Sequence, residues 1–358
     1  MPACARGELV RNGEVGTYHC VQRCVRRAFL CGADAVTGRS FEHRRGWVRA
    51  RIIDLAGSFA VEMCSYSVME NHLHVIVRTR PDLAGAWTHE EVARRWWSIF
   101  TGCRDEDGRP AEPTAADPAG VPGRRGGGGK WLSEVRERLS CLSWFMRCLA
   151  EPIARRANKE DRCTGRFWEG RFKCQALLDE EAVLACSVYV DLNPIRAGIA
   201  ATPESSAFTS AQDRCAARQA HYKLAALADH SVRSADAAPS ALISEARAEL
   251  ARDRWLCPLG GDDSHLPSID LDRYLELLDW SGRQVHANKR GAIPDHLRPI
   301  IERLAIDVDR WIDTVTRFGR WFRRAAGKAP SMAAEALRAG RRWLHGIDRA
   351  RVVFASSA

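Results

Sequence analysis

SYSVMENHLHVIVRTR, residues Ser65 to Arg80, is an apolar run interrupted by two histidines, His72 and His74. Leu73, Val75 and Val77 recur at every second position, the period of a β-strand with a buried face. Residues i and i+2 of a strand share a face, about 6.5 to 7 Å apart along it. His72 and His74 therefore point to one side, and Leu73, Val75 and Val77 to the other. Two readings follow: histidines satisfied within a core, or two ligands of a metal site that still needs a further donor.

Working outward, FAVEMCSYSVM (Phe59 to Met69) reads as the preceding strand, ENH as a short turn and LHVIVRT as the strand carrying the second histidine. Upstream, GTYHCVQRCVRRAFLCG (Gly16 to Gly32) starts as a strand and runs into a basic turn, and an amphipathic helix is expected from Arg45 to Leu55. Strand, helix, strand, strand is the first part of a ferredoxin-like arrangement, which one more helix and strand would complete. Downstream, Thr88 to Phe100 reads as a helix, and the Gly- and Pro-rich stretch Gly102 to Lys130 reads as a loop or linker. Leu132, Val135, Leu139, Leu142, Phe145, Met146 and Leu149 then recur at spacings of three and four, which predicts one amphipathic helix over Trp131 to Glu160. GRFWEGRFKCQALLD (Gly165 to Asp179) alternates like a strand, and EEAVLACSVYVDLNPIRAGI predicts a helix broken by Pro194 and Gly198. Past Cys215 the chain becomes alanine-rich and reads as an all-helical second region. The fold class expected is therefore α+β, an antiparallel sheet with helices over 1–214, followed by helices over 215–358.

The hydrophobic fraction is 46%, yet no apolar run reaches the length of about 18 to 20 residues that a membrane helix needs. The start, MPACARGELVRNGEV, lacks the pattern of a secretory signal. These features predict a soluble cytoplasmic protein with no membrane partner. The 13 cysteines are odd in number and contain no CxxC pair, so reduced thiols are expected, including Cys20, Cys24 and Cys31. A formal net charge of +9, carried mostly by arginine, favours a polyanionic partner.

YVDLNPIRAG supplies the remaining chemistry. Tyr189 and Asn193 are four residues apart on the expected helix, so they share a face within about 5 to 6 Å. A carboxamide oxygen is a hard ligand suited to Mg²⁺ or Mn²⁺, and a phenolate can attack phosphorus. The bland readings are a packed aromatic and a helix stop before proline.

YSVMENHLHVIV, GRFWEGRFKC and YVDLNPIRAGI, in that order, resemble the single-tyrosine HUH transposases, and among them the REP-associated tyrosine transposases. The resemblance spans roughly Thr17 to Arg214 and implies a ferredoxin-like catalytic core that cuts single-stranded, hairpin-forming DNA. It implies that His72 and His74 bind a divalent metal, that Asn193 is the third ligand and that Tyr189 is the nucleophile. Glu70 stands where the family usually has proline, and is a candidate accessory carboxylate. Arg166, Trp168, Arg171 and Lys173, with Arg196, are candidate DNA contacts, the aromatic offering a stacking face and the cations a phosphate partner. The resemblance divides the chain into a catalytic domain over 1–214, with 102–130 as a flexible insertion, and a helical region of unassigned role over 215–358. Within the latter, TRFGRWFRRAAGK gathers Arg317, Arg320, Arg323, Arg324 and Lys328 around Trp321 and Phe322, either a second DNA contact or a solvated helix face. The expected partner is single-stranded or hairpin DNA bearing palindromic repeats, with a homodimer compatible. The alternative is a non-mobile DNA-binding protein of the same fold acting on such repeats.

Overall fold

Three residues, Met69 to Asn71, separate strand β2 (Val61–Val68) from strand β3 (His72–Thr79), which are neighbours in the sheet. So short a link makes the pair an antiparallel hairpin. The structure, a computed structural model, describes residues 9–25, 30–34, 37–100, 128–234, 240–261, 264–266, 268–285 and 308–354. Most of the loop expected over 102–130 lies outside the described residues.

The chain is a mixed α+β structure. Its five-stranded sheet runs in the order β2-β3-β1-β4-β5, with β1 at Gly16–Arg23, β4 at Lys173–Leu177 and β5 at Ala325–Ala326. Helix α1 (His43–Ser58) contains the expected Arg45 to Leu55 segment, and Pro81 opens a short additional helix, α2 (Pro81–Ala86), ahead of α3 (His89–Phe100). The single helix expected over Trp131 to Glu160 is two, α4 (Gly128–Leu139) and α5 (Leu142–Glu160). Cys141 is extended between them, and the Leu139 carbonyl accepts from the Ala60 amide at 2.9 Å instead of continuing a helix.

The strand expected over Gly165 to Asp179 is also shorter, being confined to β4. Gly165 takes φ +103°, Trp168 forms an isolated bridge with Cys24, and its indole N–H donates to the Ala150 carbonyl at 2.8 Å. The aromatic alternation there reflects a loop pinned by its side chains. Among the described residues past Cys215, helices alternate with turns and loops, and β5 is a strand, where the Leu178 amide donates to Ala326. Small residues permit that approach: a β-carbon on Gly327 would lie 2.8 Å from Asp179 Oδ2.

By compactness the chain divides into one unit of Met1–Met63, Glu70–Leu73 and Val77–Ala176, and another of Cys64–Met69, His74–Ile76 and Leu177–Ala358. In the first, α1 packs on α5, and Arg44 is wholly buried while donating to Glu160 at 2.9 Å and to Asp161. Its guanidinium also lies 4.3 Å from the centre of the Phe41 ring.

In the second unit, α6 (Glu180–Asp191), α7 (Asn193–Arg196), α8 (Ser210–Ser234), α9 (Ser240–Leu250), α10 (Leu271–Val285), α11 (Val308–Trp321), α12 (Ala329–Arg338) and α13 (Ile347–Val353) supply most of the core. Cys20, Cys24 and Cys31 are buried thiols, and burial pushes the Cys31 thiol up to about 12. Among the described residues no helix is long and apolar enough to cross a membrane.

Candidate active site around Tyr189

Asp179 starts α6: its Oδ1 accepts from the Ala182 amide at 3.1 Å, and Glu180 and Glu181 place negative charge in the first turn, where the helix dipole favours it. The helical path does not stop at Pro194. Leu192 remains right-handed (φ −86°, ψ −3°), and Pro194 falls at the start of α7, where a missing N–H costs nothing. The Arg196 amide then donates to Leu192 O at 3.0 Å, and Gly198 ends the path at φ +69°. Tyr189, Asn193 and Arg196 are thereby aligned at i, i+4 and i+7 on one helical face.

Tyr189 is half-buried among three groups. The His74 ring meets it edge-on with centroids 5.8 Å apart, and Phe318 of α11 lies tilted against it at 5.9 Å. The Arg196 guanidinium carbon is 5.2 Å from its ring centre. Gly319 lets α11 come close: a β-carbon there would stand 3.2 Å from the phenol oxygen.

Arg196 Nε, Nη1 and Nη2 are all buried and have no hydrogen-bond partner among the described residues. Burial pulls this arginine down to about 10, with the nearby Tyr189 acting in the opposite sense. Asn193 Nδ2 is likewise buried and unpartnered. A carboxamide can turn over to exchange its nitrogen and oxygen, so the same orphaned position suits an acceptor oxygen facing a cation.

His72 is half-buried, and its Nδ1 lies 2.6 Å from Asn71 Oδ1. Donation from Nδ1 to that oxygen fixes the tautomer that puts the lone pair on Nε2, the arrangement a ligating imidazole needs. Burial first, then the Arg23 charge, pulls His72 down to about 4, so the ring is neutral near pH 7. Among the described residues no group of three or more His, Cys, Asp and Glu could hold a metal. Taken separately, each within its own unit, the His72 tautomer and the orphaned Asn193 amide are of a chemistry that suits ligation.

Glu70 is exposed and folds over Gly32, whose β-carbon would meet Glu70 Cγ at 3.3 Å. Arg166, Arg171 and Lys173 are exposed on and before β4, whereas Trp168 is half-buried with its indole N–H bonded to Ala150. Phe322 is buried, Arg317 and Arg349 flank the Trp321 ring, and Lys328 pairs with Glu181 at 2.6 Å.

Asp191, absent from the sequence-derived candidates, anchors the end of α6. It is wholly buried, and burial raises its pKa. Its Oδ1 accepts from Ser65, Ser210 and the Ala211 amide, and its Oδ2 from the Tyr274 hydroxyl at 2.6 Å. A lone carboxylate within VYVDLNP, in an otherwise apolar turn, was the available signal.

No family model and no curated protein matches the chain. Among solved structures, a REP-associated tyrosine transposase bound to a REP hairpin is similar at 13% identity and a TM-score of 0.34, over 59% of this chain and 82% of that one. The likeness is distant, and by itself it establishes neither a shared fold nor an activity.

Proposed function

We propose that the chain is a metal-dependent enzyme that cuts and rejoins single-stranded, hairpin-forming DNA through a 5′-phosphotyrosine at Tyr189. The observation that carries this reading is the edge-on contact of His74 with Tyr189 at 5.8 Å, which joins two motifs far apart in the sequence. The resemblance of those motifs to single-tyrosine HUH transposases supplies the reaction class. The finer reading of the sheet as ferredoxin-like belongs to the same proposal, supported by the element order strand, helix, strand, strand, helices, strand from β1 to β4.

His72, His74 and Asn193 would hold Mg²⁺ or Mn²⁺, with Glu70 an accessory carboxylate. When bound, such an ion withdraws charge from the scissile phosphate. Tyr189 Oη bonds to phosphorus as the bond from phosphorus to the 3′ oxygen breaks, leaving a 5′-phosphotyrosine and a 3′-hydroxyl that takes up the proton. Because the energy of the diester is kept in the covalent link, a 3′-hydroxyl can reverse the step and rejoin strands. Arg166, Trp168, Arg171 and Lys173 serve as contacts to the DNA, and a homodimer is compatible with this scheme. The catalytic part is 1–214, and 215–358 is an accessory helical region.

Wild-type protein incubated with hairpin-bearing single-stranded DNA and Mn²⁺ should give a covalent adduct on a denaturing gel, and Tyr189→Phe should give none. An adduct that persists in Tyr189→Phe removes the nucleophile assignment. Binding of hairpin DNA by wild-type protein with no cleavage supports the alternative, a DNA-binding protein that has lost the reaction.

A further inference from the structure

We propose that Arg196 forms a buried phosphate-binding subsite beside Tyr189, which takes the non-bridging oxygens of a phosphodiester and does so without a metal ion. The inference deepens the proposed reaction and rests on it only for the identity of the ligand as a DNA phosphate.

A guanidinium taken out of water costs several kcal/mol unless acceptors replace the lost hydration. The chain meets that requirement elsewhere: Arg44 is held by Glu160 and Asp161, and Arg214 donates to the Cys64 and Cys257 carbonyls at 3.1 and 3.0 Å. At Arg196, among the described residues, none of the three nitrogens has a hydrogen-bond partner, and the guanidinium lies over the Tyr189 ring. Pro194 and Ile195 beside it supply the buried apolar surface of α7. A buried, unpaired donor fork is what a ligand with several acceptor oxygens in one plane would satisfy, and phosphate matches it bidentately.

The spacing strengthens the case. At i+7 from Tyr189, the guanidinium shares the face on which the phenol stands. A phosphoryl group received by the phenol would keep its negative charge beside Arg196, so the same side chain would serve the incoming diester and the covalent product. Beside Tyr189, His74 and Phe318 are buried, and a lowered local dielectric strengthens that attraction.

The test uses thermal unfolding of the full chain in EDTA, comparing sodium phosphate with sodium chloride at equal ionic strength. Phosphate should raise the Tm of wild-type and Tyr189→Phe protein, with its apparent affinity about tenfold or more weaker in Arg196→Met and partly retained in Arg196→Lys. Should Arg196→Met fail to fold, Arg196→Gln gives the same comparison. An equal phosphate response in wild-type and Arg196→Met, or no phosphate-specific response in wild-type, overturns the subsite. A response that depends on Arg196 in a protein forming no DNA adduct leaves the subsite standing and sinks the strand-transfer reading. An adduct whose yield is unchanged in Arg196→Met and Arg196→Gln does the reverse.

Discussion

Arg44 and Arg196 are both withdrawn from water, one in each compact unit, and their surroundings are opposite. Arg44 is 0% exposed, donates to two carboxylates and lies over Phe41. Arg196 has three buried nitrogens and no acceptor among the described residues. A folded chain keeps the first because its charge is balanced within the fold. It keeps the second at a cost to stability, which selection tolerates where the charge is used on something else. If the proposed subsite holds, polar satisfaction separates structural from functional burial where burial alone does not.

The largest expected effect tests this contrast directly. Arg44→Met removes the buried guanidinium from Glu160 and Asp161; because Glu160 keeps His43 at 2.9 Å and both carboxylates retain some solvent contact, the loss should fall near the lower end of the buried-pair range, about 3 kcal/mol in urea unfolding. Arg196→Met removes a charge without breaking a pair, so stability should fall by less than about 1 kcal/mol or rise. Equal losses at the two positions would erase the distinction.

A pH scan probes the first unit in another way. His19 on β1 is buried beside Gln175, and burial, partly offset by that hydrogen bond, pulls it down to about 4. Between about 4 and 6.5 the unfolded chain binds a proton that the folded chain does not. This contribution is therefore complete above pH 6.5 and is lost as pH falls toward 4, by up to about 3 kcal/mol. His19→Gln should flatten stability against pH in that window without abolishing the slope, since His72 is shifted in the same direction. An unchanged slope would show that His19 is not held neutral.

The sequence carried these features unequally, for physical reasons. The β2–β3 hairpin was legible because period-two alternation and a three-residue turn are local signals. The break at Cys141 was not, because the apolar stripe continues from Leu139 to Leu142 across it and the Leu139 carbonyl is diverted by a distant amide. Ala325 and Ala326 favour helix by propensity and become strand through pairing with β4. At the site, the spacing of Tyr189, Asn193 and Arg196 could be read from a helical period. The lack of a partner for Arg196 could not, since it depends on what every other segment fails to supply. Phe318 and Gly319, far along the chain, meet Tyr189 through tertiary packing alone.

The smallest effect on stability is expected at Gly319, and it separates stability from function in the second unit. Glycine within a helix costs up to about 1 kcal/mol relative to alanine, so Gly319→Ala gains on propensity. Against that gain, the new β-carbon would stand 3.2 Å from the Tyr189 oxygen, and the ring cannot easily retreat between Phe318 and His74. The two terms nearly cancel, leaving a net change within about 1 kcal/mol. The phenol oxygen itself has no such compensation. If it is the nucleophile, crowding it should lower adduct yield at near-constant Tm; a normal yield would mean that α11 moves off Tyr189 before the reaction, taking Gly319 with it.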